Sequence, residues 1–87
     1  MAQPVRGLQV NQSLDVRGLK APESYHTAIK RLQTMAEDEV LELYFDGDDA
    51  LRTIPFALRA EGHEIVVSEP ANDGVRLLVR KRVLLTS

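Results

Sequence analysis

The apolar residues of this chain change their spacing as the sequence proceeds, from every second residue to helical spacing and back again, and that alternation leaves few folds open. Residues 13–17 (SLDVR) alternate, with Leu14 and Val16 on one side and Ser13, Asp15 and Arg17 on the other. This is the pattern of a short half-buried strand, ended by Gly18. Pro22 then opens a helix, because proline at the first helical position forgoes no intrahelical bond and Glu23 adds negative charge where the dipole favours it. Tyr25, Ala28, Ile29, Leu32, Met35 and Ala36 share one helical stripe, which predicts a helix reaching residues 36–38. Residues 39–45 (EVLELYF) return to period two, with Leu41, Leu43 and Phe45 together on one side.

Asp46-Gly47-Asp48-Asp49 is a turn that supplies an N-cap for a second helix over residues 50–61, with Leu51, Ile54 and Leu58 inward. Pro55 has no N–H to offer Leu51, which predicts an irregular first turn that rotates Phe56 into the core. Gly62 sits where a C-cap glycine belongs. Residues 63–69 form a third strand with Ile65 and Val67 inward, Asn72-Asp73-Gly74 is a turn, and residues 75–82 form a fourth strand.

The element order is therefore β-α-β-α-β-β. Strands joined through a helix should be parallel, and strands joined by a tight turn form an antiparallel hairpin. Both helices then cover one face of a four-stranded mixed sheet and leave the other open. The expected fold is α+β, a two-layer α/β sandwich. Residues 1–12, polar and interrupted by Pro4 and Gly7, read as a flexible tail, and 13–87 as a single domain.

Composition narrows the chemistry. Among 87 residues there is no cysteine, which excludes disulfides, thiolate metal sites and any nucleophilic thiol of the chain's own. A net charge of −2 gives no general attraction to nucleic acid or anionic lipid. No run approaches the roughly 18 apolar residues of a membrane span, and the first ten residues lack a signal-peptide core, so the expected location is the cytoplasm. No cofactor or metal is expected. Asp46, Asp48 and Asp49 are followed by Ala50 and Leu51 where a calcium loop needs ligands, and His26 and His63 stand apart from partners. Ser24 and His26 lie two apart on a helix and do not face each other, so they make no nucleophile–base pair.

The stretch Leu14-Asp15-Val16-Arg17-Gly18-Leu19-Lys20-Ala21-Pro22 resembles the entry motif of the TusA/SirA family of small sulfur carriers. That motif reads Leu-Asp-x-Arg-Gly, two residues, then Cys-Pro-x-Pro. The resemblance continues through Ile54-Pro55 and Gly62-His63-Glu64 and spans residues 14–82. It implies strand order 1-2-4-3. It also implies a cysteine that takes a persulfide from a cysteine desulfurase and passes it on, with a tRNA-thiolating relay among the acceptors. Here Ala21 stands at the cysteine position and Ser24 at the second proline. Two changes together read as natural divergence, since an engineered trap would alter one residue only.

The functional expectation is a non-catalytic relative, not an enzyme, that keeps the family's protein-docking tip. Asp15, Arg17, Gly18, Lys20, Ala21, Pro22 and Glu23 form that tip, a cysteine desulfurase or another sulfur-relay protein is the partner, and the chain is a monomer. The alternative is a nucleic-acid-binding module in which Arg76, Arg80 and Arg82 track an RNA backbone on the open sheet face. Glu42 and Glu64 share that face and favour cross-strand ion pairs instead, and Tyr44 is its single aromatic.

Overall fold

A computed structural model describes residues 9–83. Its elements are β1 (Gln12–Asp15), α1 (Glu23–Gln33), β2 (Val40–Phe45), α2 (Asp48–Ala60), β3 (Glu64–Ala71) and β4 (Gly74–Arg80). The sheet order is β1-β2-β4-β3, with β1 parallel to β2 and the other two pairs antiparallel. Period two in β2 puts Leu41, Leu43 and Phe45 on the helix side, each with no exposed surface. In register beside them stand Leu14 of β1 and Leu77 and Val79 of β4. Ala28 and Leu32 of α1, and Ala50, Ile54 and Leu58 of α2, close the same core. Each large side chain so buried contributes about 1.5–3 kcal/mol. At the β3–β4 turn, any side chain at Gly74 would collide with the Phe45 carbonyl, so the position takes only glycine.

The stretch read as a tail has residues 1–8 outside the described part. Its other end is tied to the sheet: Asn11 N donates to Val40 O at 2.9 Å, Val40 N donates to Asn11 Oδ1 at 2.8 Å, and β1 begins at Gln12.

Several local expectations are corrected. Helix α1 stops at Gln33, short of residues 36–38, because the chain must turn back to meet β4. Asp38 takes φ 74°, its N–H donates to Lys81 O, and Lys81 N donates to Glu39 O, both at 2.8 Å. Lys81 Nζ donates to Leu32 O and so satisfies a free carbonyl at the helix end. Met35 stays buried outside the helix, and Ala36 is exposed.

Helix α2 runs unbroken through Pro55. Its buried stripe is Ala50, Ile54 and Leu58, four apart, so nothing rotates Phe56 inward. Leu51, expected inward with Ile54 and Leu58, is 41% exposed, its place in the buried stripe taken by Ala50, and Phe56 is 69% exposed.

In β3 the pairing slips between Ile65↔Val79 and Val67↔Leu78, leaving Val66 as a bulge. Val67 therefore stands on the face away from the helices, not inward. The slip also brings Glu64 and Glu69, an odd number of residues apart, onto that one face opposite Arg80 and Arg76. Without the extra residue they would point to opposite sides.

Beyond β4, Arg82 N donates to His63 Nδ1 at 3.1 Å. Burial first, and then the charge of Lys81, push the His63 imidazole below its ordinary value, while Glu61 opposes them. A depressed value means the folded state prefers neutral histidine. The contribution is thus full above the unfolded value of about 6.5 and is lost as pH falls through the folded value. Replacing His63→Gln should shrink the loss of urea-unfolding stability between pH 7.5 and pH 5 relative to wild type. Equal losses in the two proteins would contradict this role.

Candidate functional site

Parallel pairing of β1 and β2 brings both strand exits to the same edge of the sheet, so the two strand-to-helix loops lie side by side. Gly18 N donates to Asp46 Oδ1 at 3.0 Å and ties one loop to the other. Both loops turn through glycines in the left-handed region, Gly18 at φ 91° and Gly47 at φ 93°. Between them is an open groove of ≈ 570 Å³ with residues 18–21 on one bank and 46–50 on the other.

Of the tip residues read from the sequence, Gly18, Lys20 and Ala21 line this groove. Ala21 is exposed and joined to Pro22 by a cis peptide. Pro22 and Glu23 are also exposed; Pro22 is the N-cap of α1 and not, as expected, its first helical residue, which is Glu23, and here Ser24 N donates to Lys20 O at 3.0 Å and His26 N to Pro22 O at 2.9 Å. Asp15 and Arg17 do not line the groove. They make a bidentate pair, Arg17 Nε to Asp15 Oδ1 at 3.0 Å and Nη2 to Oδ2 at 2.7 Å, while Arg17 N donates to Oδ1 at 2.9 Å. The guanidinium lies 5.1 Å from the Tyr44 ring centre. These contacts fix the direction in which the chain leaves β1 for the tip.

The sequence reading missed the opposite bank. Asp46, Asp48 and Asp49 were assigned to turn and cap chemistry, yet α2 has Gly47 as N-cap with no side-chain cap bond, and the Asp46 carboxylate is spent on Gly18. The signal was available in the inferred parallel β1–β2 pair, which forces the two loops together. Asp48 and Asp49 sit in the first turn of α2, where the dipole favours them, and make the groove acidic opposite Lys20. No three His, Cys, Asp or Glu among the described residues gather to hold a metal ion.

On the face away from the helices, Arg76 Nε donates to Glu42 Oε2 and Nη1 to Glu69 Oε2, both at 2.7 Å. Ser13 Oγ and Tyr44 Oη also donate to Glu42, at 2.9 and 3.1 Å. The Arg76 bond, largest among these effects, holds the Glu42 carboxyl below its ordinary value. Arg80 reaches Glu64 and Arg82 reaches Asp38, each at 3.8 Å. Arg82 lies past the end of β4, so the three arginines do not form one strand-borne row.

Together these features describe a small α+β sandwich that presents a loop tip at the start of α1. A family model described as sulfurtransferase TusA matches residues 12–81. The chain belongs to that family. It is similar to a protein of Archaeoglobus fulgidus named "Putative sulfur carrier protein", 28% identical over 78 residues, which cover 88% of this chain and 89% of that one. Among the 87 residues there is no cysteine, and Ala21 lines the groove beside the start of α1. No helix among the described residues is long and apolar enough to cross a membrane.

Two measurements test the site's construction. Bonds from Arg17 lower the Asp15 carboxyl from 3.8 to about 2. NMR titration should find that low midpoint in wild type and a higher one in Arg17→Gln, still below the ordinary value because the backbone N–H of residue 17 keeps its bond to Oδ1. Ser24, fully buried at the start of α1, has an Oγ with no hydrogen-bond partner among the described residues. Removing an unsatisfied buried hydroxyl should raise stability, so Ser24→Ala is expected to gain about 1 kcal/mol in denaturant unfolding.

Proposed function

We propose that this chain is a cysteine-less TusA-family protein that binds a sulfur-relay partner through its α1 tip without carrying sulfur itself. The observation that supports it is Ala21 at the groove mouth of an otherwise intact tip. The glycine turn, the tie from Gly18 to Asp46 and the first turn of α1 are all in place around a residue with no nucleophile. In a thiol-bearing tip, a helix N-terminus lowers the cysteine pKa and populates the thiolate that attacks the partner's persulfide. Binding needs the shape and charges of the loop, whereas transfer needs the thiol as well. The two can therefore separate. Asp15, Arg17, Gly18, Lys20, Ala21, Pro22 and Glu23 are the contact residues of this reading, a cysteine desulfurase or another relay protein is the partner, and the cytoplasm is where they meet. Occupying the partner without accepting its sulfur makes the protein a regulator of flux, not an enzyme.

The nucleic-acid reading has less behind it. Arg76 is shared by two carboxylates and Arg80 and Arg82 each face one, so a phosphate backbone would have to displace them.

The reading is tested by Ala21→Cys. Incubated with a cysteine desulfurase and its cysteine substrate, the new thiolate should attack the terminal sulfur of the enzyme's persulfide. One S–S bond forms as another breaks, and the enzyme leaves as thiolate. Persulfide labelling detected by mass spectrometry on the variant, and absent from wild type, is the expected result. A folded variant that stays unlabelled would remove the claim that the tip still docks a desulfurase.

A further inference from the structure

We infer that the outer face of α2 is a self-association surface on which a second copy of this chain packs antiparallel about a two-fold axis. The inference begins from Phe56. It is the most exposed large hydrophobic residue in the described part, 69% accessible, and it lies at the middle of the helix side opposite Ala50, Ile54 and Leu58. An aromatic ring held in water on a rigid helix is the usual material of an interface.

The charges around it point to the same surface. Arg17, Arg76, Arg80 and Arg82 are each paired with a carboxylate, and Arg31 donates to Gln12 Oε1. Among the described residues, Arg52 and Arg59 have no such partner, and they stand one turn before and one turn after Phe56. Asp49, on the same outward side near the start of the helix, is likewise exposed and in no ion pair among the described residues.

In an antiparallel two-fold pair, facing positions have a constant sum. The register that sets Asp49 against Arg59 of the second copy also sets Arg52 against Phe56 of the second copy. Each occurs twice by symmetry, giving two ion pairs at the ends and two arginine–aromatic contacts near the axis. The helix dipole explains acid at the start and base at the end of α2, but it gives no reason for the exposed ring between them. A nucleic acid would meet Arg52 and Arg59 but also Asp48 and Asp49 on the same helix, which repel phosphate. A second copy supplies the opposite charge at both ends.

The surface is small. A helix of 13 residues presents a strip about 20 Å long and 10 Å wide, well short of the roughly 800 Å² per partner of a stable interface. The dimer is therefore weak and forms as concentration rises. It also reaches the groove, because Asp49 is part of the acidic bank. Arg59 of the second copy would sit at the groove rim, so self-association and docking at the α1 tip compete.

Sedimentation velocity on the full chain from about 10 μM to about 1 mM tests this. Wild type should shift from monomer towards dimer. Phe56→Asp should weaken that dimer about tenfold or more, as should Arg59→Asp, while Asp49→Arg combined with Arg59→Asp restores it. All the altered side chains are exposed, and circular dichroism of each variant checks that the fold is kept. Wild type monomeric throughout, or a dimer indifferent to Phe56→Asp, overturns the proposal. A double variant that stays as weak as Arg59→Asp alone overturns the antiparallel register. None of these readouts depends on a sulfur-relay partner, so they stand apart from the labelling test of the tip.

Discussion

Everything at the functional end of this molecule depends on the parallel pairing of β1 with β2. Parallel strands leave the sheet at the same edge, so the loops entering α1 and α2 must sit side by side. A single bond from Gly18 N to Asp46 Oδ1 then holds the groove at a defined width. Had the same strands paired antiparallel, the two loops would lie at opposite ends and no tip could form. The rest of the fold serves this arrangement. β2, flanked by β1 and β4, is buried along its whole inner row, and α1 and α2 meet over it.

The second constraint is parity along β3. A bulge at Val66 changes which residues face away from the helices, and the change gives both acidic residues of the strand an arginine opposite. The resulting chain of contacts runs from Ser13 through Glu42 and Arg76 to Glu69 and joins β1, β2, β4 and β3 across one surface. Such half-exposed pairs are individually weak, on the order of 1 kcal/mol or less. Their main effect is to fix register and to occupy the face with matched charge. In this setting Arg76 and Arg80 of β4 are matched by carboxylates on the neighbouring strands.

The element order and most of the core were legible in the sequence because each rests on a period that burial enforces over several residues, whereas the strand order followed only from the family resemblance. Ile54 and Leu58 lie inward where helical spacing puts them, as do Leu41, Leu43 and Phe45 at every second position. What was not legible turns on single residues. The bulge at Val66 leaves no mark in the run HEIVVSE, where Val66 and Val67 are alike, so Val67 was assigned the wrong face. The early end of α1 is decided by Lys81 and Glu39, remote in sequence from each other. Phe56 was turned inward on the strength of Pro55, but α2 accommodates the missing N–H without changing its buried stripe. As for the site, the α1 bank was found through its motif, whereas the acidic bank looked like ordinary turn chemistry until the two loops were placed together.

Ala21 separates two properties that usually travel together. The positive potential at the start of a helix acts on whatever group is placed there, and its catalytic value exists only when that group can ionise. With a methyl group in the position, the loop has a glycine turn and an acidic opposite bank, but the field has no thiol to activate. What is left is a shaped, charged surface with Lys20 on one side and carboxylates on the other. Recognition by such a surface follows from geometry and charge alone, which is why loss of the reactive atom does not entail loss of binding.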